Sequence, residues 1–249
     1  MNTAAPNPRI NSLSAIFPCY NDARSIGTMV RDVHRTLEGA IADFEVIVVN
    51  DGSQDDSLAV LQELASEFPL LRIVDHSSNR GYGGALISGF AAATKEWVFY
   101  TDGDAQYDAT EVAVCLAAVT DDIDVVQGYK IGRGDSWYRK VIGRVYHHVV
   151  RAAFRLRVRD TDCDFRLIRR SVLDKVTLRS NTGVICVEMM YSFLRVGARF
   201  TEVGVSHRFR PHGKSQFFRV PAITRSAVQL VQLWWRLMVR KPRHTPSRD

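Results

Sequence analysis

The chain has 249 residues, 46% hydrophobic and 24% charged, a globular composition that excludes fibrous, low-complexity and disordered classes. A net charge of +6 favours anionic partners: nucleotides, phosphates, nucleic acid or an acidic membrane surface. The scattered Cys19, Cys115, Cys163 and Cys186 form no CxxC pair, so neither a zinc site nor a disulfide framework is expected.

Residues 1–12 are polar and do not read as a secretory signal. Residues 13–17 form an apolar run ending at Pro18. Ile26, Met29, Val30, Val33 and Leu37 then recur at helical spacing. Residues 44–49 (FEVIVV) read as a strand buried on both faces. Leu58, Leu61, Leu64 and Ala65 mark a second helix, and residues 71–74 a third strand. Leu86, Phe90 and Ala93 mark a third helix, residues 97–100 a fourth strand, and Val125-Val126 a fifth. Residues 187–194 follow a helical pattern that includes Glu188. This alternation predicts an α/β, Rossmann-like single domain with a mostly parallel sheet over residues 10–218.

Ligands of such sheets bind beyond the carboxyl ends of the strands, and there the polar motifs fall. The first strand leads into Pro18-Cys19-Tyr20-Asn21-Asp22, the second into Asn50-Asp51-Gly52-Ser53, the fourth into Thr101-Asp102-Gly103-Asp104. Asp102 and Asp104, two apart on extended chain, point to one side and repel unless a hard cation with oxygen ligands lies between them. Ser53 is equally a helix cap, and Asp51 either a turn residue or an acceptor for a ribose or base. Asn79-Arg80-Gly81-Tyr82-Gly83-Gly84 enters a helix without the P-loop ending and reads mainly as a tight turn.

Taken in order with Asp162-Cys163-Asp164-Phe165-Arg166 and Arg210-Pro211-His212-Gly213-Lys214-Ser215, these motifs resemble glycosyltransferase family 2, with its GT-A fold. Within it the likeness is to polyprenyl-phosphate sugar transferases of the dolichyl-phosphate mannose synthase type. The resemblance covers about residues 13–218. It implies that Pro18, Tyr20, Asn21, Asp22, Asp51, Gly52 and Ser53, with Asp102 and Lys130, bind a GDP- or UDP-hexose. Asp102, Asp104 and Gln106 would surround Mg²⁺ or Mn²⁺ on the donor diphosphate. Arg144, Arg166 and Arg210 would join Asp104 in catalysis, and Arg139, Arg144, Lys214 and Ser215 would meet the acceptor phosphate. Three departures stand out: the second strand ends in Asn50-Asp51-Gly52-Ser53 where many relatives have two aspartates, Lys130 lies where an Arg often follows the fifth strand, and Asp164 where lipid-phosphate relatives usually have Gly.

A lipid phosphate is already anionic and needs cations more than a base; residues 139–159 supply seven. A glycan or protein hydroxyl needs a base, for which Asp162 or Asp164 is the candidate, each equally a salt-bridge partner of Arg166. A further alternative is a catalytically silent nucleotide-sugar-binding scaffold. The basic run carries no nucleic-acid-binding signature, so no nucleic-acid partner is expected. Residues 207–215 read as a cationic flap.

No run reaches about twenty uninterrupted apolar residues. Residues 219–240 instead form an amphipathic helix, with Arg225, Gln229, Gln232, Arg236 and Arg240 on one arc and Ile223, Ala227, Leu230, Trp234, Leu237 and Met238 opposite. That pattern suits a membrane surface, so a peripheral location on the cytoplasmic face is expected, with or without an anchoring partner protein. Residues 241–249 read as a disordered tail.

Overall fold

The computed structural model describes residues 7–132, 147–210 and 220–239. Arg139, Arg144, Lys214, Ser215 and the tail 241–249 lie outside the described residues.

Strands β1 (Ser12–Cys19), β2 (Asp43–Asn50), β3 (Leu71–Asp75) and β4 (Trp97–Thr101) alternate with helices α1 (Ile26–Glu38), α2 (Ser57–Glu67) and α3 (Tyr82–Ala92). A single-turn helix over Ala109–Glu111 leads into α4 (Val112–Ala117), then β5 (Val125–Ile131). Next come α5 (described over residues 147–154), β6 (Phe165–Arg169), α6 (Arg170–Leu173), α7 (Ile185–Arg195) and β7 (Phe200–Ser206). Helix α8 (Val220–Trp234) runs on as a π-helical turn over Trp235–Val239.

The sheet has seven strands in the order β3-β2-β1-β4-β6-β5-β7. All neighbouring pairs are parallel except those made by β6, which runs antiparallel to both β4 and β5. This reversal places the chain before β6 at the carboxyl end of β4, where Phe165 pairs with Thr101. The loop over residues 160–164 therefore arrives beside Asp102.

Each face of the sheet carries its own core, as period-2 side-chain alternation requires. Leu13, Ala15 and Phe17 of β1 pack with Met29, Val33 and Leu37 of α1 and Val112 and Leu116 of α4. Ile16 of β1 packs on the other face with Leu86 of α3, Phe154 of α5 and Met189 and Phe193 of α7. Leu233 of α8, 2% exposed, joins that second core, with Leu230 and Leu237 partly buried against it. The four cysteines are buried free thiols.

Candidate active site

After β1 the chain turns sharply. Asn21 takes a left-handed backbone (φ 57°), which asparagine tolerates better than most residues. The start of α2 holds this turn: Ser53 Oγ accepts from the Asn21 N–H and Ser57 Oγ from the Asp22 N–H, both at 3.0 Å. In return Asn21 Oδ1 accepts from the Gln54 N–H at 2.7 Å. Ser53 thus braces the neighbouring turn instead of capping α2.

Tyr20, Gly52 and Ser53 line a cleft of about 440 Å³, together with Asn50, Asp75 and His76. Asp51 faces the other way. Its carboxylate accepts from the Arg80 N–H at 2.8 Å, the Gly81 N–H at 2.9 Å and His76 Nδ1 at 2.7 Å, and its side chain is 4% exposed. Its oxygens thus satisfy the N–H groups of the Gly-rich turn and tie that turn to the end of β2. Asp75 and His76 were not singled out from the sequence. The signal in the sequence is that both follow the strand run 71–74 directly; in the structure Asp75 is in register with Asn50, whose Nδ2 donates to it at 2.7 Å.

Next to this cleft lie the β4-end carboxylates. Asp102 Oδ1 accepts from the Tyr82 hydroxyl at 2.7 Å, and Asp104 Oδ1 accepts from the Gln106 N–H at 3.0 Å. Arg210 bridges Asp22 and Asp104, lying 3.5 Å from Asp104 Oδ2. Gln106 Nε2 donates to the Arg208 carbonyl at 3.2 Å, so the start of the 207–215 segment is tied to the Asp102–Gln106 turn. Burial drives the Asp102 carboxyl well above the usual range, and the charges of Asp164 and Asp104 add to it. Burial also raises Asp104, against the pull of Arg210. Asp22 rises to about 6, burial outweighing Arg210, with Asp104 reinforcing it. Asp164 rises to about 6, again through burial, against hydrogen bonding from the Cys186 thiol. Arg210 and Lys130 pull against these shifts, yet burial keeps all four carboxyls above the ordinary range.

The remaining basic residues divide. Lys130 Nζ donates to the Asp162 carbonyl at 2.5 Å; burial disfavours its charge, but Asp160, Cys163, Asp162 and Asp164 together raise its pKa. Arg166 is fully buried. It donates to Gln127 Oε1 at 2.5 Å, to the Thr161 carbonyl at 2.7 Å and to Asp164 Oδ1 at 3.3 Å, and it stacks over the Tyr100 ring. In this structure the Arg166 guanidinium, with no exposed surface, holds the 160–164 loop and Asp164. The Asp162 N–H donates to Asp160 Oδ1 at 3.1 Å, so Asp162 belongs to the same braced loop. Pro18 lies against the β4-end turn, since a Cβ on Gly103 would stand 2.8 Å from its carbonyl oxygen.

Glu188 is 1% exposed and accepts from the Arg179 and Ser180 N–H groups and from Arg236 of α8. Gln229 of α8 donates to Asn181 Oδ1 at 2.5 Å and accepts from Thr182 at 2.8 Å. Two members of the polar arc of α8 thus face the domain. Its outward side carries Ile223, Val228, Val231, Trp235 and Val239, all exposed. No helix among the described residues is long and apolar enough to cross a membrane.

A family model described as glycosyl transferase family 2 matches residues 14–177. The undecaprenyl-phosphate 4-deoxy-4-formamido-L-arabinose transferase of Sodalis glossinidius (strain morsitans) is 29% identical over 232 residues, 92% of this chain and 68% of its own length. The protein of the same name from Enterobacter sp. (strain 638) is 28% identical over 84% of this chain and 63% of its own length. The chain thus spans about two thirds of the length of these curated relatives. Glucosyl-3-phosphoglycerate synthase from Mycobacterium tuberculosis, solved with uridine diphosphate, superposes with a TM-score of 0.69 at 17% identity, over 91% of this chain and 79% of its own. The same enzyme with Mn²⁺, uridine diphosphate and glucosyl-3-phosphoglycerate gives a TM-score of 0.66 at 17% identity, over 91% of this chain and 79% of its own. Likeness at that identity speaks for the fold.

Proposed function

Because the chain belongs to glycosyl transferase family 2 and has its GT-A fold, we propose that it is an inverting transferase carrying a hexose or related sugar from a nucleoside diphosphate to a polyprenyl phosphate. The observation that carries this reading is the carboxylate pair at the end of β4, partly buried Asp102 and buried Asp104, with Tyr20, Asn50 and Asp75 lining a cleft at the ends of the neighbouring strands. The relatives named for undecaprenyl-phosphate transfer support the acceptor class.

The residues fit a divalent cation. Burial raises both acids, and the charges of Asp164 and Asp104 add to it at Asp102; a bound cation offsets that penalty. Among the described residues no group of three or more His, Cys, Asp or Glu could hold a metal by itself. Asp102 and Asp104, with Gln106 alongside, would hold Mg²⁺ or Mn²⁺, whose contribution is to neutralise the charge that grows on the departing diphosphate.

The chain's own residues do the rest. Tyr20, Asn50 and Asp75 present polar groups to the nucleoside. Arg210, paired with Asp22 and Asp104, is the cationic side chain placed to meet the donor phosphates. A phosphate acceptor arrives as an anion, so cationic side chains position it and no base is called upon. Helix α8 would lie on an acidic membrane surface through its outward apolar face, on the side where nucleotide sugars are found. That arrangement would bring the lipid acceptor to the site without a spanning helix among the described residues.

The test is transfer of labelled sugar from a panel of UDP- and GDP-sugars to a short polyprenyl phosphate, with Mg²⁺ or Mn²⁺ and with chelator. Metal-dependent glycolipid is the expected product. Donor binding without glycolipid would instead favour a hydroxyl acceptor, with Asp162 and Asp164 as the acids to substitute.

A further inference from the structure

Tyr82 is the first residue of α3, and its hydroxyl donates to Asp102 Oδ1 at 2.7 Å. The backbone around it is clamped from two sides. On one side Asp51 takes the Arg80 and Gly81 N–H groups. On the other the turn rests on residues 180 and 181, where the Gly83 N–H donates to the Asn181 carbonyl at 3.1 Å. Glycine is required at this contact. A Cβ at Gly81 would stand 2.3 Å from Asn181 O, and one at Gly83 would stand 2.1 Å from Ser180 O. Gly81 also has a φ of 84°, which side chains with a Cβ rarely adopt. The loop behind the turn is itself fastened by Glu188 and by Gln229 of α8.

We propose that Tyr82 is a positioning residue for Asp102, holding that carboxylate toward the donor diphosphate and its cation, with the Ser180–Asn181 backbone as buttress. This rests on the metal-dependent donor reading given above. The chemistry favours a phenol at this point. Asp102 shares its surroundings with Asp104 and Asp164, and like charges rotate apart unless something holds them. An Arg or Lys would hold Asp102 but would bring a positive charge that competes with the metal. A neutral O–H donor orients the carboxylate and leaves its charge available, as hydrogen-bonding groups behind metal ligands do.

The experiment uses the full chain, because α8 fastens the buttress. Free Mn²⁺ is followed by electron paramagnetic resonance during titration, with UDP and with GDP. Tyr82→Phe should weaken Mn²⁺ binding by about tenfold or more, while binding of the diphosphate in chelator and the melting temperature stay as in the wild type. Gly83→Ala, which keeps the hydroxyl but pushes the turn off Ser180, should reproduce the loss. Wild-type Mn²⁺ affinity in Tyr82→Phe would overturn the positioning role and leave the donor reading intact. Absence of diphosphate-dependent Mn²⁺ binding in the wild type would overturn the donor reading itself.

Discussion

Asp104 and Arg166 were named together from the motifs, yet their surroundings differ. Asp104 sits at the mouth of the β4 turn with Arg210 as an adjustable partner, whereas Arg166 is fixed by three hydrogen bonds in the interior. Asp104→Ala should lower metal-dependent sugar transfer by about 10²-fold or more, measured as initial rate at saturating donor, with little change in melting temperature. Arg166→Met should act on the fold. Removing one partner of a buried ion pair strands Asp164 and costs about 3–5 kcal/mol, readable as a shift in the urea midpoint. If Arg166→Met instead kept full stability and lost only transfer, the residue would be contacting phosphate after all. Residue identity was enough to pick out both positions. It did not tell an exposed arginine from a buried one, because burial depends on Gln127 and Thr161, which are 39 and 5 residues away in sequence.

Among the elements, α8 departs most from its reading as an isolated helix. Its amphipathic pattern was plain from the spacing of Arg225, Gln229, Gln232 and Arg236. The side that faces the domain was not. The buried Glu188 carboxylate needs a cation, so Arg236 turns inward with Gln229 beside it, and a largely apolar strip is left facing solvent. Val231 is 66% and Trp235 59% exposed. Val231→Asp with Trp235→Asp should weaken association with anionic phospholipid vesicles by roughly tenfold or more, since each side chain buried in lipid contributes about 1.5–3 kcal/mol. The melting temperature should hold. Leu233→Asp, one position inside the core, should do the reverse and unfold the helix from the domain. Co-sedimentation and thermal melts separate the two.

At the scale of the whole molecule, the active end of the sheet is kept apart from the end that stabilises it. Glu45 lies toward the amino ends of β1 and β2, opposite Ser14 in register. It accepts from Ser14 at 2.8 Å, from the Thr94 N–H at 2.7 Å and from Arg72 at 2.5 Å. Burial pulls its carboxyl upward, but hydrogen bonds from Arg72, Ser14 and Thr94 outweigh that and hold it below the usual value. A depressed folded value gives stability that is present above the ordinary glutamate range, about pH 4.3, and is lost as pH falls through the folded value. Glu45→Gln should therefore melt lower than the wild type at neutral pH, with the gap closing on acidification, followed by thermal melts across that range. The amino-acid sequence determined the α/β alternation, the first five strands and the placing of polar motifs at strand ends, because side-chain periodicity and strand-end chemistry are local properties. Tertiary structure alone decided three things. Antiparallel insertion of β6 brings Asp164 beside Asp102, the Gly-rich turn takes Asp51 and presents Tyr82, and α8 buries Leu233 while leaving Val231 and Trp235 exposed. Each depends on partners tens of residues away, through burial and hydrogen-bond satisfaction that no local pattern carries.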